Sequence, residues 1–142
     1  MGRWILAHRI GLAAAIVVCW WCAASGPAAP ASRKVAPQVK VVTLPESAQP
    51  FFPILAGPPD TASMESGLVT LDPGKSVGVH STKGYEELLV PLAGEGEIRI
   101  PGKHAIPIKS GCAAYSPPGT EHDVVNTGKT ALTYIFVVAK VP

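Results

Sequence analysis

An all-β fold, a sandwich or small barrel in a single domain, is what this sequence of 142 residues predicts, on three observations. Fifteen prolines and fourteen glycines with few charges describe a turn-rich chain. Short apolar, β-branched runs recur between those turns at the close spacing of strands in sandwiches and barrels. Beyond the N-terminal apolar run, no window is long enough to read as a helix of a soluble domain. The length leaves room for one compact core, and no repeat of solenoid period is visible.

In chain order, residues 1–31 read as a secretory signal peptide, with an uncleaved N-terminal anchor as the alternative. Arg3, His8 and Arg9 make a basic start, residues 10–24 (IGLAAAIVVCWWCAA) carry no charge, and small residues follow to Ala31. The apolar run is shorter than the roughly 20 residues a spanning helix needs. Trp20 and Trp21 would be the interfacial aromatics of an anchor. Ala29 and Ala31 permit cleavage before Ser32, and a cut after Ala24 competes. Cys19 and Cys22 sit inside the apolar run, between bulky neighbours that suit neither a redox pair nor a lipid attachment site. Cys112 alone would remain in the mature domain, so no internal disulfide is expected there. The expected location is therefore outside the cytoplasm, periplasmic or secreted.

Residues 32–38 close an Ala/Pro/Ser linker too poor in apolar side chains to pack. The folded domain is expected over 39–142. Val39 to Leu44, Phe51 to Leu55, Gly67 to Leu71, Glu87 to Ala93, Gly96 to Ile100, Ala105 to Ile108, Cys112 to Ser116, His122 to Asn126 and Leu132 to Val141 are the expected strands. Asp72-Pro73-Gly74, Gly94, Pro101-Gly102 and Ser110-Gly111 break them.

Formal net charge is +2, and both Arg3 and Arg9 lie in the targeting segment. A near-neutral mature surface removes any electrostatic case for nucleic acid. Membrane contact is expected only through an uncleaved N-terminus. No phosphate-binding glycine loop or nucleophile elbow is present, and nothing supplies the cation or helix N-terminus that would activate Cys112.

Two stretches within the core motif region 74–126 carry the chemistry. In the first, Gly74 precedes His80, Glu87 and Gly94. In the second, Gly111 precedes Pro117, Gly119, His122 and Asn126. This order resembles the two signature motifs of the cupin family. The second motif matches at every fixed position, and the first carries Thr82 where the family usually has a second histidine. The resemblance covers roughly residues 63–139 and implies a double-stranded β-helix, the small jelly-roll barrel of that family. It also implies one divalent transition metal (Fe, Mn, Ni, Cu or Zn) held by His80, Glu87 and His122.

Strand alternation agrees with that ligand set: His80 and Thr82 would share one face, as would His122, Val124 and Asn126. A hairpin through Lys83 and Gly84 would bring Glu87 to the same interior. Two imidazoles and one carboxylate leave coordination positions open for substrate or oxygen, unlike a closed four-ligand structural site. Thr82 is a poor ligand and is expected to contact a metal-bound water or to fill the wall. Glu86 competes with Glu87, but the interval to Gly94 fits the family motif from Glu87. Tyr115, Tyr134 and Phe136 are candidate pocket lining beside the metal, with core packing the plainer reading. Cys112 is a weaker candidate of the same kind. His104 is expected at a hairpin tip, Asn126 as a structural amide, and Glu121 and Asp123 on the face opposite His122.

Two function classes follow. One is a metal-dependent enzyme on a small molecule, an oxygenase ahead of an isomerase or lyase. The other is a non-catalytic barrel binding a sugar or small anion, its metal site weak or lost. A homodimer is expected from the resemblance.

Overall fold

The computed structural model describes residues 36–141. The expected signal segment and the start of the linker lie outside the described residues. Eight strands form: β1 (Phe51–Ala56), β2 (Met64–Leu71), β3 (Tyr85–Ala93), β4 (Glu95–Arg99), β5 (Ile106–Lys109), β6 (Ala114–Ser116), β7 (Asp123–Val125) and β8 (Leu132–Lys140). Each sits on one of the expected apolar runs, with no end moved by more than three residues. Val39 to Leu44 does not form a strand. Val39 and Val41 are fully or almost fully exposed, and the first ladder begins only at Phe51. β-branched residues raise strand propensity, but a strand exists only where a neighbour takes its backbone bonds.

All pairings are antiparallel, in a five-stranded sheet ordered β1-β2-β8-β3-β6 and a three-stranded sheet ordered β5-β4-β7. The long central strand β8 is flanked by β2 along its whole length and by β3 through a register shift between Pro91 and Ala93. Proline cannot donate to a ladder, so a bulge at Pro91 is the expected accommodation.

Alternate residues of both sheets face one interior. Val69 and Leu71 of β2, Leu89 of β3, Ile98 of β4, Val124 of β7 and Leu132 of β8 form a single buried cluster, with Ile108 and Tyr134. Leu89 and Leu132 are essentially inaccessible, each worth about 1.5–3 kcal/mol of burial. Gly94 ends β3 in a left-handed conformation (φ 76°), and a β-carbon there would lie 2.3 Å from the Ala131 carbonyl oxygen. No other residue type meets both demands.

Candidate metal centre

The second motif builds the deeper half of the site. Pro117-Pro118-Gly119 forms a turn closed by Thr120 N–H to Pro117 O (3.3 Å) with Gly119 at φ 75°, and it delivers His122 to the start of β7. His122, Val124 and Asn126 then share the inner face, each at most 1% exposed. Asn126 anchors this half. Its amide donates to the carbonyls of Leu71 (2.7 Å) and Thr130 (2.8 Å), and its oxygen accepts from Gly128 N–H (2.9 Å).

The first motif approaches along β7. His80 and His122 exchange both backbone hydrogen bonds at 2.9 Å, an isolated bridge that sets their rings side by side with centroids 4.6 Å apart. Beyond that bridge the chain does not continue as a strand. Thr82 instead opens a turn in which its carbonyl accepts from Tyr85 N–H (3.1 Å) and its hydroxyl donates to Tyr85 O (2.6 Å), with Lys83 at φ 54°. That turn starts β3 and carries Glu87 inward, where it pairs with Val138 of β8 on one side and Ser116 of β6 on the other.

Ligand atoms of His80, Glu87 and His122 all lie within 4.8 Å of one another. Glu87 and His122 are buried, whereas His80 is exposed. Backbone carbonyls set both histidine tautomers. His80 Nδ1 donates to Gly78 O (2.9 Å) and His122 Nδ1 to Thr120 O (3.1 Å), with Ser116 Oγ at 3.5 Å from the latter nitrogen. A carbonyl can only accept, so each Nδ1 carries its proton and each neutral ring keeps a free lone pair on Nε2.

In His122 that lone pair faces Glu87 Oε2 at 3.1 Å, and neither atom has a hydrogen-bond partner although both are fully buried. Two buried acceptors so close need a cation between them. Two ligand atoms on one ion with bonds of 2.0–2.2 Å stand about 3–4 Å apart, so the spacing suits a metal. Without an ion, a proton would take the same place: the hydrogen bond it makes from His122 to the Glu87 carboxylate, opposed by burial, raises the His122 pKa above its ordinary value.

His80 and Glu87 open onto a cavity of about 300 Å³ that Thr82 also lines, whereas His122 does not line it. Tyr134 and Phe136 of β8 line it, together with Val124 of the second motif and with Val69, Val77 and Val138, which no sequence signal singles out. Only the strand register places valines 55 residues apart on one wall. Ser116 was missed for the same reason, since it reaches His122 by standing opposite Glu87.

Tyr115 does not share that cavity. It is 62% exposed, donates to Glu86 Oε2 (3.2 Å), and borders a separate, isoleucine-lined hollow of about 230 Å³, which is the one that His122 lines. Alternation explains the split, because Tyr115 stands opposite Leu88 and both point outward. Cys112 borders that second hollow as well, its thiol tied to the Lys109 backbone. Glu86 is on the outer side, His104 and Glu121 are exposed, and Asp123 is half-buried.

A family model described as a cupin domain matches residues 67–138. The oxalate-binding protein of Thermotoga maritima is 40% identical over 68 residues, covering 48% of this chain and 55% of the relative, so the match spans about half of that protein. Among solved structures, a Cupin 2 conserved barrel domain protein from Salinispora arenicola superposes with a TM-score of 0.61 at 21% identity, over 73% of this chain and 92% of that one. A predicted oxalate decarboxylase from Thermotoga maritima superposes with a TM-score of 0.50 at 27% identity, over 64% and 92%. The two sheets are thus those of a double-stranded β-helix.

Proposed function

The chain belongs to the cupin family, and from that premise we propose that it holds one divalent transition metal through His80, Glu87 and His122 to bind a small oxygen-donor ligand. The observation that carries this reading is the pair of buried atoms without partners, Glu87 Oε2 and His122 Nε2 at 3.1 Å. The names of an oxalate-binding relative and of a decarboxylase-like neighbour support a small carboxylate as the ligand.

A divalent ion there supplies a Lewis acid with open coordination positions. The protein's own groups do the rest. The Gly78 and Thr120 carbonyls fix the histidine tautomers so that Nε2 points at the ion. Burial of Glu87 and His122 keeps water from their lone pairs. Thr82, its only proton given to Tyr85 O, presents acceptor lone pairs to the cavity edge and suits a contact with bound water. Iron, manganese, nickel, copper and zinc all accept this donor set.

Binding is the first function to test. Oxygenase-type chemistry, which asks little beyond the ion and its open positions, is its enzymatic form. An isomerase or lyase needs a general base, and apart from the three ligands only Tyr134 titrates among the cavity-lining residues. Burial and the Glu87 charge raise its pKa and keep the phenol protonated. The same reading includes export through residues 1–31 and a homodimer.

Elemental analysis of the full chain purified without chelator tests the metal. Near-stoichiometric ion, lost in His122→Ala and bound more tightly in Thr82→His, is expected. A parent that takes up no ion while Thr82→His does would end the metal reading.

A further inference from the structure

The cavity beside the ligand cluster is chemically lopsided. His80, Thr82, Glu87 and the Tyr134 phenol are its polar groups, and Val69, Val77, Val124, Phe136 and Val138 make the rest of its wall. Among the described residues no lysine or arginine lines it. Resting on the metal reading above, we infer that the ligand is a small monocarboxylate chelating through a 2-oxo or 2-hydroxy group and bearing a short alkyl tail, and that the site disfavours oxalate.

Two arguments lead there, one of charge and one of area. A divalent ion with the Glu87 carboxylate and two neutral imidazoles leaves one net positive charge. A monoanion cancels it, whereas a dianion leaves an excess negative charge against an apolar wall with no cation to meet it. Bidentate chelation suits a centre with three protein ligands, because Thr82 takes the motif position where the family usually has a second histidine and its hydroxyl is already committed to Tyr85 O. The apolar wall then recovers free energy only from a ligand that has carbon to bury, whereas oxalate has none. A cavity of about 300 Å³ lies at the small end of ligand sites and suits such an acid.

The test loads the full chain with Co(II) and follows its d–d absorption as pyruvate, 2-oxobutyrate, 2-oxoisovalerate and oxalate are added. Each affinity is divided by that of the same acid for free Co(II), which removes intrinsic chelating strength. Expected is a gain of about fourfold per buried carbon, hence about 15-fold for the two extra carbons from pyruvate to 2-oxoisovalerate, with oxalate the weakest of the four on this scale. Val138→Lys, which places a cation in the wall, should raise the normalised oxalate affinity above that of 2-oxoisovalerate. Stoichiometric Co(II) with no dependence on tail length, or with oxalate the strongest in the parent, would overturn the inference and leave the metal reading standing. Failure to bind Co(II) at all would overturn both.

Discussion

The two halves of the candidate metal centre are built by opposite means. Glu87 and His122 stand on or beside regular ladders, are at most 5% exposed, and have neighbours on every side. His80 and Thr82 belong to an irregular strap, residues 74–84, that runs along β7 on backbone bonds at Gly74 (3.0 Å), Val77 (3.2 Å) and His80 (2.9 Å). Val77 and Val79 are 40% and 64% exposed there, so little apolar burial holds the strap. The buried half is pre-set by packing, and the strap half is held by hydrogen bonds with little packing. A ligand cluster assembled this way has two rigid donors and one that can adjust as ion and ligand enter.

Four substitutions or conditions would sharpen that contrast or break it. The largest effect belongs to the anchor of the buried half. Asn126→Ala removes three short hydrogen bonds and should cost about 3 kcal/mol in chemical denaturation; a loss below about 1 kcal/mol would mean that β7 is held by something else. Glu87→Gln comes next and separates stability from chemistry. The amide can donate to His122 Nε2, so metal-free stability should stay within about 1 kcal/mol of the parent while stoichiometric metal is lost. A variant that keeps its metal would remove Glu87 from the ligand set.

In the strap, His80→Ala should change stability by less than about 0.5 kcal/mol, because the side chain is exposed. Its metal affinity, read by competition with a chromophoric chelator, should fall by more than the roughly 10–100-fold cost of losing an outer partner. Equal damage to both quantities would erase the distinction between the halves.

The smallest effect is on pH. His122 has its pKa raised above 6.5 in the metal-free protein, so its contribution to stability is complete below that pH and is lost as pH rises through the raised value. Metal must displace the same proton, so the stabilisation gained on adding ion should grow over that same rise. Melting temperatures with and without ion should therefore diverge with increasing pH. Parallel curves would show that His122 Nε2 is not where the ion binds.

How far the sequence carried the reading differs between the halves too. The second motif was legible because its turn residues and its alternating His122, Val124 and Asn126 are local, and local geometry survives into the fold. The strap was legible at His80 and Thr82, which line one cavity. Alternation does not convey the turn that follows Thr82, whose hydrogen bonds to Tyr85 are as local as any strand pattern. Tyr115 and Tyr134 look alike as aromatic strand residues, and their separation to opposite sides depends on pairing with Leu88 and with Val69.

By itself the sequence determined the strand inventory after Phe51, the turns between strands, the identity of the two motifs and hence the cupin membership, because periodicity and turn chemistry act over a few residues. Only the tertiary structure decided that Val39 to Leu44 lacks a partner, that both imidazoles carry their proton on Nδ1, and that valines from β2, β7 and β8 wall the cavity. Those outcomes depend on which backbone lies alongside which. That is set by closing a barrel around one core, and no short stretch of chain encodes it.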